Sequence, residues 1–329
     1  MIGQLDPLYI RKRPKQALKR LLSRAFFEGR QPTMRWQWVN SLLNLEFKAL
    51  EKLPILKNIV KPIFIVGIGR SGTTIISKVL SFHREVGLLN EAKALWHAIY
   101  PFEDVLGTYG KDAFYRLCEN HVSSEVAERA KKLHGAFLYF MKAERLLDKY
   151  PEMIFRIGFI QKIYPDLKII LLIRNGWDVI HSISNYSRKH TVQTSKGYAD
   201  WWGVNQRKWQ LLTTQVLGPE EELSEIREIV PSLNRHEDMA AVEWILTMRE
   251  AMRAIRLAAK QIYTIRYEDL TAHPYYVLKE LVDFCELGHD KDMMDYALKI
   301  LKPASTHGVQ ALHPVVHRHF IDLLKAFGY

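Results

Sequence analysis

The stretch that most constrains this chain is Pro62-Ile63-Phe64-Ile65-Val66 followed by GIGRSGTT, Gly67 to Thr74. A short run of β-branched and aromatic residues that stops at a glycine-rich turn reads as a strand buried on both faces. Thr73 to Phe82 then supports a helix. Strand, glycine turn and helix together make an anion site. Glycine lets the backbone come close, successive amide N–H groups converge, and the helix dipole adds positive potential. Ser71, Thr73 and Thr74 add hydroxyl donors.

The spacing narrows the chemistry. Nucleotide triphosphatases use GxxxxGK[ST], whose lysine reaches the β- and γ-phosphates. Here GxxxxG runs from Gly67 to Gly72, but Thr73 stands where that lysine would be, and the strong cation is Arg70. Such a loop fits a nucleotide donor without a γ-phosphate. It argues against a kinase or ATPase, and a P-loop nucleotide kinase-like phosphotransferase is kept as the alternative.

The rest of the chain reads as alternating elements. Lys168 to Ile173 is a second buried strand, with a helix from Trp177 to Arg188, and Ile262 to Ile265 is a third. Helical patterns cover about 111–120, 124–147, 200–216 and 239–260, and Pro274 sits where a first-turn proline starts a helix. The segment 218–237 is polar and acidic and reads as an exposed excursion. Strands alternating with helices imply an α/β protein: a P-loop-containing three-layer fold with a central parallel sheet flanked by helices. With 329 residues and no repeat or low-complexity tract, a single domain over 1–329 is expected, carrying a basic amphipathic N-terminal extension over about 1–60.

The formal charge of +11 suits a polyanionic partner: nucleic acid, an anionic membrane surface or a multiply phosphorylated nucleotide. Residues 10–30 interleave Leu18, Leu21, Leu22, Phe26 and Phe27 with seven Lys/Arg residues, Arg11 to Arg24. That pattern fits a helix docked on the domain or peripheral contact with an anionic bilayer. No nucleic-acid fold signature accompanies the charge, so no nucleic-acid partner is expected. Cys118 and Cys285 make no metal-ligand pattern and read as reduced packing residues. No run of about 18 apolar residues and no secretory leader is visible, so a cytoplasmic protein is expected, with membrane contact at most peripheral.

GIGRSGTT resembles the 5′-phosphosulfate loop of sulfotransferases that use 3′-phosphoadenosine-5′-phosphosulfate (PAPS), where [K/R]SGTT follows a strand. The resemblance implies PAPS as co-substrate, 3′,5′-bisphosphoadenosine as product and no metal. It puts Gly69, Arg70, Ser71, Gly72, Thr73 and Thr74 around the 5′-phosphosulfate, with Arg70 at the sulfuryl group. Three further stretches follow in family order. KIILLIR and the helix after it carry an arginine at a strand end and a serine eight residues on, Arg174 and Ser182, the pattern that holds the 3′-phosphate. A guanidinium fork and a helix hydroxyl can pinch one phosphate. DKYPEM resembles the EKTP segment, which makes Lys149 a second cation at the sulfuryl group, although a solvated turn lysine would look the same. RYEDL places Tyr267 near the nucleotide.

The small-molecule enzymes of the family carry a catalytic histidine two residues after that lysine. Pro151 stands there instead. The chain is closer to the tyrosylprotein and carbohydrate-type branch, whose base is a glutamate about twenty residues past the loop cation. Glu91 matches and is the expected base; the lesser alternative is that it only favours the dipole from the first turn of a 91–99 helix. His97 is the fallback base. No late Arg-Lys-Gly closes the 3′-phosphate site; Lys302, Ser305 and His307 are the nearest polar group. The reaction implied is in-line displacement, with Glu91, Arg70 and Lys149 as catalytic residues. The acceptor is expected to bear a hydroxyl, less readily an amine, on a carbohydrate, a lipid or glycolipid, or a small metabolite. Trp96, Tyr100, Phe155, Phe159, Tyr198, Trp201, Trp202 and Trp209 are candidates to line its pocket.

Overall fold

The computed structural model describes residues 4–303 and 306–329. Five parallel strands form its central sheet: β1 (Ile63–Gly67), β2 (Val86–Asn90), β3 (Arg145–Lys149), β4 (Lys168–Ile173) and, last in the chain, Ile262–Arg266. Their order is β2-β3-β1-β4 with Ile262–Arg266 at the far edge. Alternate residues of the buried strands feed two apolar layers. Ile63, Ile65, Ile170 and Leu172 pack with Ile76, Val79 and Leu80 on one side. Phe64, Val66, Ile169 and Leu171 pack with Trp96, Phe137, Val179 and Trp244 on the other. The result is the three-layer α/β arrangement expected, helix–sheet–helix.

The first helices are α1 (Pro7–Lys12), α2 (Pro14–Phe26) and α3 (Val39–Leu50). Helix α2 docks, but by a different face from the one its leucines suggest. Gln16, Ala17, Arg20 and Ser23 are buried, whereas Leu18, Leu21 and Phe26 are exposed. The polar residues win because each has a partner in the sheet layer. Gln16 donates to the His83 carbonyl (2.7 Å), Ser23 to the Leu88 carbonyl (2.7 Å), and Arg20 pairs with the buried Glu28. A buried polar group with its bonds made costs little, while one without them costs much.

Helices α4 (Thr73–Ser81), α5 (Lys93–Ile99) and α6 (Ser124–Met141) follow. The helix expected over 124–147 ends at Met141, capped by Lys142 at φ +48, and Arg145–Lys149 is strand β3. Its sequence, RLLDK, looks too charged for a central strand. Its polar side chains find partners outside it: Arg145 donates to the carbonyls of Lys61, Cys285 and Glu286, and Asp148 accepts from Trp96 Nε1 at 2.7 Å, while burial pushes the Asp148 carboxyl up to about 7. No helix forms over 111–118. Tertiary bonds hold that stretch instead, with Phe114 N–H donating to the Phe102 carbonyl (2.8 Å) and Tyr115 N–H to Gln215 (2.7 Å).

Helices α7 (Ile157–Ile163) and α8 (Gly176–His190) lead into a small antiparallel sheet, β5 (Val192–Thr194), β6 (Gly197–Asp200) and β7 (Gly203–Val204). It occupies the start of the helix expected over 200–216; Gly203, at φ +83, makes the turn, and helix begins only at Arg207. Nor is 218–237 an exposed excursion. Leu223 and Ile226 are buried there, and Glu220 draws in Arg116 (3.0 Å) and Arg253. Cys285 is buried as expected, but Cys118 is exposed, its sulfur 3.2 Å from His121 Nδ1. Among the described residues no helix is long and apolar enough to cross a membrane.

Candidate active site

All the singled-out strand-end residues meet at one edge, the carboxyl ends of the five parallel strands, where open α/β sheets bind ligands. Strand β1 delivers the Gly67–Thr74 loop, β2 delivers Glu91, β3 Lys149, β4 Arg174, and Ile262–Arg266 delivers Tyr267. Register does the fine placement. Asn90 lies opposite Lys149, so Glu91 follows as that lysine's neighbour, and Glu91 N–H donates to the Lys149 carbonyl at 2.7 Å.

The loop is tight. Gly67 has φ +140, and a Cβ on it would sit 2.4 Å from the Leu172 carbonyl oxygen. Gly72 caps α4 at φ +100 without a side-chain cap, leaving the Thr73 and Thr74 amides at the start of α4 open, while Ile75 N–H donates to the Gly72 carbonyl. A Cβ on Gly72 would strike the Tyr267 ring at 2.3 Å, and one on Gly69 would strike Trp201 at 2.3 Å. Ser71 is buried and donates to the Ile68 carbonyl (2.6 Å), so its hydroxyl proton serves the loop's own shape. Thr73 is buried and Thr74 exposed.

Arg70 is exposed, has φ +69, and donates from Nε to Ser182 Oγ at 3.0 Å. Arg174 reaches the Arg70 carbonyl (3.3 Å), lies over the Tyr267 ring at 4.6 Å, and faces Asp178 at 3.6 Å. Its Nε is buried with no hydrogen-bond partner among the described residues. A cavity of about 440 Å³ joins Arg70, Gly72, Thr73, Thr74, Arg174, Ser182 and Tyr267. A neighbouring one of about 380 Å³ runs on from Arg174 and Ser182 to His181 and His307. Asp178 organises that end: it accepts from His307 N–H (2.6 Å) and lies 3.0 Å from His307 Nδ1, and His307 stacks on His181. Of the late polar group, then, His307 is at the site, Lys302 does not line it, and Ser305 lies outside the described residues.

On the other side of Arg70 a cleft of about 210 Å³ holds Glu91 and Lys149. Lys149 is buried and forms an ion pair with Glu91, whose side chain is 26% exposed and accepts a second bond from Gln31 Nε2 at 2.7 Å. Burial alone would raise the Glu91 carboxyl. The ammonium groups of Lys149 and Lys93, with the hydrogen bonds from Lys149 and Gln31, outweigh it and hold the group well below the usual carboxylate range. Glu91 also departs from the helical reading: α5 starts at Lys93, and Glu91 stands before it at φ +52. Lys93 and Glu152, paired at 3.3 Å, line the cleft too, as does Lys208, which pairs with Glu243 behind it at 2.6 Å.

Of the aromatic candidates only Trp201 lines this cleft, donating to Glu243 at 2.7 Å with Lys208 over its ring. Trp96, Phe155, Phe159, Trp202 and Trp209 are core; Tyr100 is half-buried and Tyr198 exposed, both outside the cleft. His97 is also elsewhere, stacked on Tyr109 at 5.2 Å. The sequence reading missed Gln31, the Lys93–Glu152 pair and Asp178. Asp178 could have been found, four residues after Arg174 on a helix. Gln31, 60 residues from its partner, left no local signal.

Comparison with known proteins gives the family. The model of the sulfotransferase family matches residues 62–227, half of the chain and all but one of the strand ends above, and the chain belongs to that family. It is similar to protein-tyrosine sulfotransferase 1 of Danio rerio, 27% identical over 231 residues covering 68% of this chain and 53% of that protein. It is also similar to an uncharacterised Aquifex aeolicus protein, 25% identical over 277 residues covering 81% of this chain and 31% of that one. The chain thus spans about a third to a half of the length of these relatives. In fold it resembles a sulfotransferase from Mycobacterium avium, with a TM-score of 0.51, 14% identity, and 98% of this chain and 92% of that one covered.

Proposed function

We propose that the chain transfers a sulfuryl group from PAPS to an acceptor hydroxyl by in-line displacement, with Glu91 as base. The observation that supports this most is the meeting, at one sheet edge, of an anion-binding loop lacking the triphosphatase lysine, a second phosphate-sized cation site, and a paired carboxylate and lysine. PAPS supplies the sulfuryl group, activated as a phosphate–sulfate anhydride. Gly69 and Gly72 let the Trp201 and Tyr267 rings close against the loop, the open amides of Gly72, Thr73 and Thr74 suit an anion, and the spare Nε–H of Arg174 suits a phosphate oxygen. Ser182, with Arg174, completes the 3′-phosphate grip, and Tyr267 braces both Arg174 and the loop.

Glu91 removes the acceptor's proton as its oxygen bonds to sulfur and the bond to the phosphate oxygen breaks. Arg70 and Lys149 hold the charge that builds on the sulfuryl and leaving oxygens. Arg70 acts by charge alone, since a guanidinium does not give up its proton; Lys149 can also donate one. Fixed cations and amides do the work that magnesium does in phosphoryl transfer, so no metal is needed. The acceptor enters the cleft beside Trp201 and carries a hydroxyl on a carbohydrate, lipid or small metabolite. A cytoplasmic location with peripheral membrane contact through α2 is part of this reading, supported by the exposed Leu18, Leu21 and Phe26 among basic residues.

The test is direct. In calorimetry 3′,5′-bisphosphoadenosine should bind without magnesium and ATP more weakly with or without it; tight magnesium-dependent ATP binding would instead favour a phosphotransferase. Labelled PAPS with cell extract should then yield a sulfated product that identifies the acceptor. A pH profile adds a check. Because Glu91 is held below the usual carboxylate range, it is ionised through the neutral range, and the acid limb of kcat/KM lies below the ordinary glutamate pKa of about 4.3. By the same sign, Glu91 contributes stability above that value and loses it as pH falls below. In Lys149→Ala the residual activity should show an acid limb displaced upward, since the largest lowering influence is gone.

A further inference from the structure

The cavity of about 380 Å³ that Arg174 and Ser182 share also holds two stacked imidazoles, which the proposed chemistry has not used. His181 stands on α8, directly before Ser182. His307 comes from the segment between the helix Lys291–Ile300 and the last helix, Pro314–Ala326. Their rings lie 3.9 Å apart and 19° from parallel. Asp178 fixes His307 at two points, accepting from its backbone N–H at 2.6 Å and lying 3.0 Å from Nδ1. With the Nδ1 proton given to that carboxylate, a second proton on the ring goes to Nε2.

His181 is arranged to stay neutral. Its Nε2 accepts from Asn185 Nδ2 at 2.7 Å. Burial, and after it His307, hold the ring below the ordinary histidine value; Arg188 adds to this, while Asp178 and Glu237 oppose it. Two stacked rings repel if both are charged, so the pair has room for one added proton, and it belongs on His307.

The fixed charges around the pair nearly cancel. Arg174 faces Asp178 at 3.6 Å, and Arg188 is paired with Glu237. Arg70 is engaged at the sulfuryl group in the reading above. Lys189 and His190 line the cavity but are exposed. A phosphomonoester carries close to two negative charges near neutral pH. One guanidinium that already faces its own carboxylate leaves much of that charge unmatched.

We propose that His307 binds the nucleotide's 3′-phosphate as an imidazolium, taking up a proton from solvent as the phosphate arrives, with Asp178 and His181 holding the ring in place. This rests on the sulfotransferase reading. A titratable group thereby supplies the cation that a late Arg-Lys-Gly would supply from fixed ones. The sign of the pH dependence follows. The bound state holds the extra proton more tightly than the free state, so affinity is lost as pH rises above the histidine range. Below about pH 6 the phosphate starts to take a proton of its own, and affinity falls again.

Calorimetry in buffers of differing ionisation enthalpy counts the protons exchanged when 3′,5′-bisphosphoadenosine binds the full chain. It is run at about pH 7.5, above the phosphate's second pKa of about 6, where a ligand bound as a dianion can itself only release protons. Net uptake is expected, and 5′-AMP, which lacks the 3′-phosphate, should show none. His307→Gln, checked for an unchanged melting temperature, should lose the uptake and about tenfold in affinity. His307→Arg should restore affinity with no uptake. His190→Gln, which alters a titratable neighbour in the same cavity, should leave the uptake intact. The proposal fails if 3′,5′-bisphosphoadenosine binds without uptake, if 5′-AMP takes up as much, or if His307→Gln still takes up the proton. No binding of 3′,5′-bisphosphoadenosine at any pH would sink the sulfotransferase reading and this proposal with it, whereas binding without uptake sinks this proposal alone.

Discussion

Glu91→Gln should cut kcat by about 10²–10⁴-fold, the usual worth of a general base, while leaving 3′,5′-bisphosphoadenosine binding nearly unchanged. The expectation follows from placement. Glu91 lines the cleft on the far side of Arg70 from the cavity proposed for the nucleotide, which it does not line. Glutamine keeps the size and the backbone demands of the position but cannot take a proton. Radiolabel transfer measures the first quantity and calorimetry the second. If turnover survives, Glu91 serves only as the partner that holds Lys149, and the proton must leave by another route.

Arg156→Leu should lower the unfolding free energy by about 3–5 kcal/mol, the cost of leaving a buried charge unpaired. Arg156 and Glu103 are both almost wholly buried. Arg156 donates to the Glu103 carboxylate (2.8 Å) and to the Glu103 carbonyl (2.8 Å), and Tyr150 O–H donates to the same carboxylate at 2.7 Å. Without the guanidinium, the carboxylate would be neutralised or left in an apolar core. The double variant Arg156→Leu/Glu103→Leu should recover much of the loss, because it removes both charges together. Urea unfolding measures each. Tyr150 follows Lys149 directly in the chain, so the single variant should also lose turnover more steeply than its folded fraction alone explains.

The sequence made β1 and β4 legible because a strand buried on both faces shows as an apolar run; Ile262–Arg266, a partly exposed edge strand, showed only through its short β-rich stretch. Strands β2 and β3 were not legible. VGLLN follows directly on the polar SFHRE and carries no β-branched residue after Val86, and RLLDK hides its burial because its polar side chains find partners at Lys61, Cys285, Trp96 and Glu91, in distant parts of the chain. The site divides along the same line. Arg70, Glu91, Lys149, Arg174 and Tyr267 stand at strand ends, where a local motif marks them. Trp201 sits in the turn between β6 and β7, in a stretch whose pattern had suggested helix. Gln31, Lys93 and Glu152 matter through partners that only the folded chain brings near. In α2 the hydrophobic pattern pointed to the wrong face, because Gln16, Arg20 and Ser23 each found a bond in the interior that the leucines had no need of.

Arg70 and Glu91 both hold left-handed backbone, at φ +69 and +52, though neither is glycine. Such positions typically cost about 1–3 kcal/mol each, and they persist where the surroundings over-determine them. Glycine would relieve both. A laboratory selection for thermostability alone would therefore tend to remove the two side chains that the proposed mechanism places at the reacting centre, and under that proposal the enriched variants would be sturdier proteins that have lost turnover. In this family member, resistance to heat and turnover pull against each other at two identifiable residues.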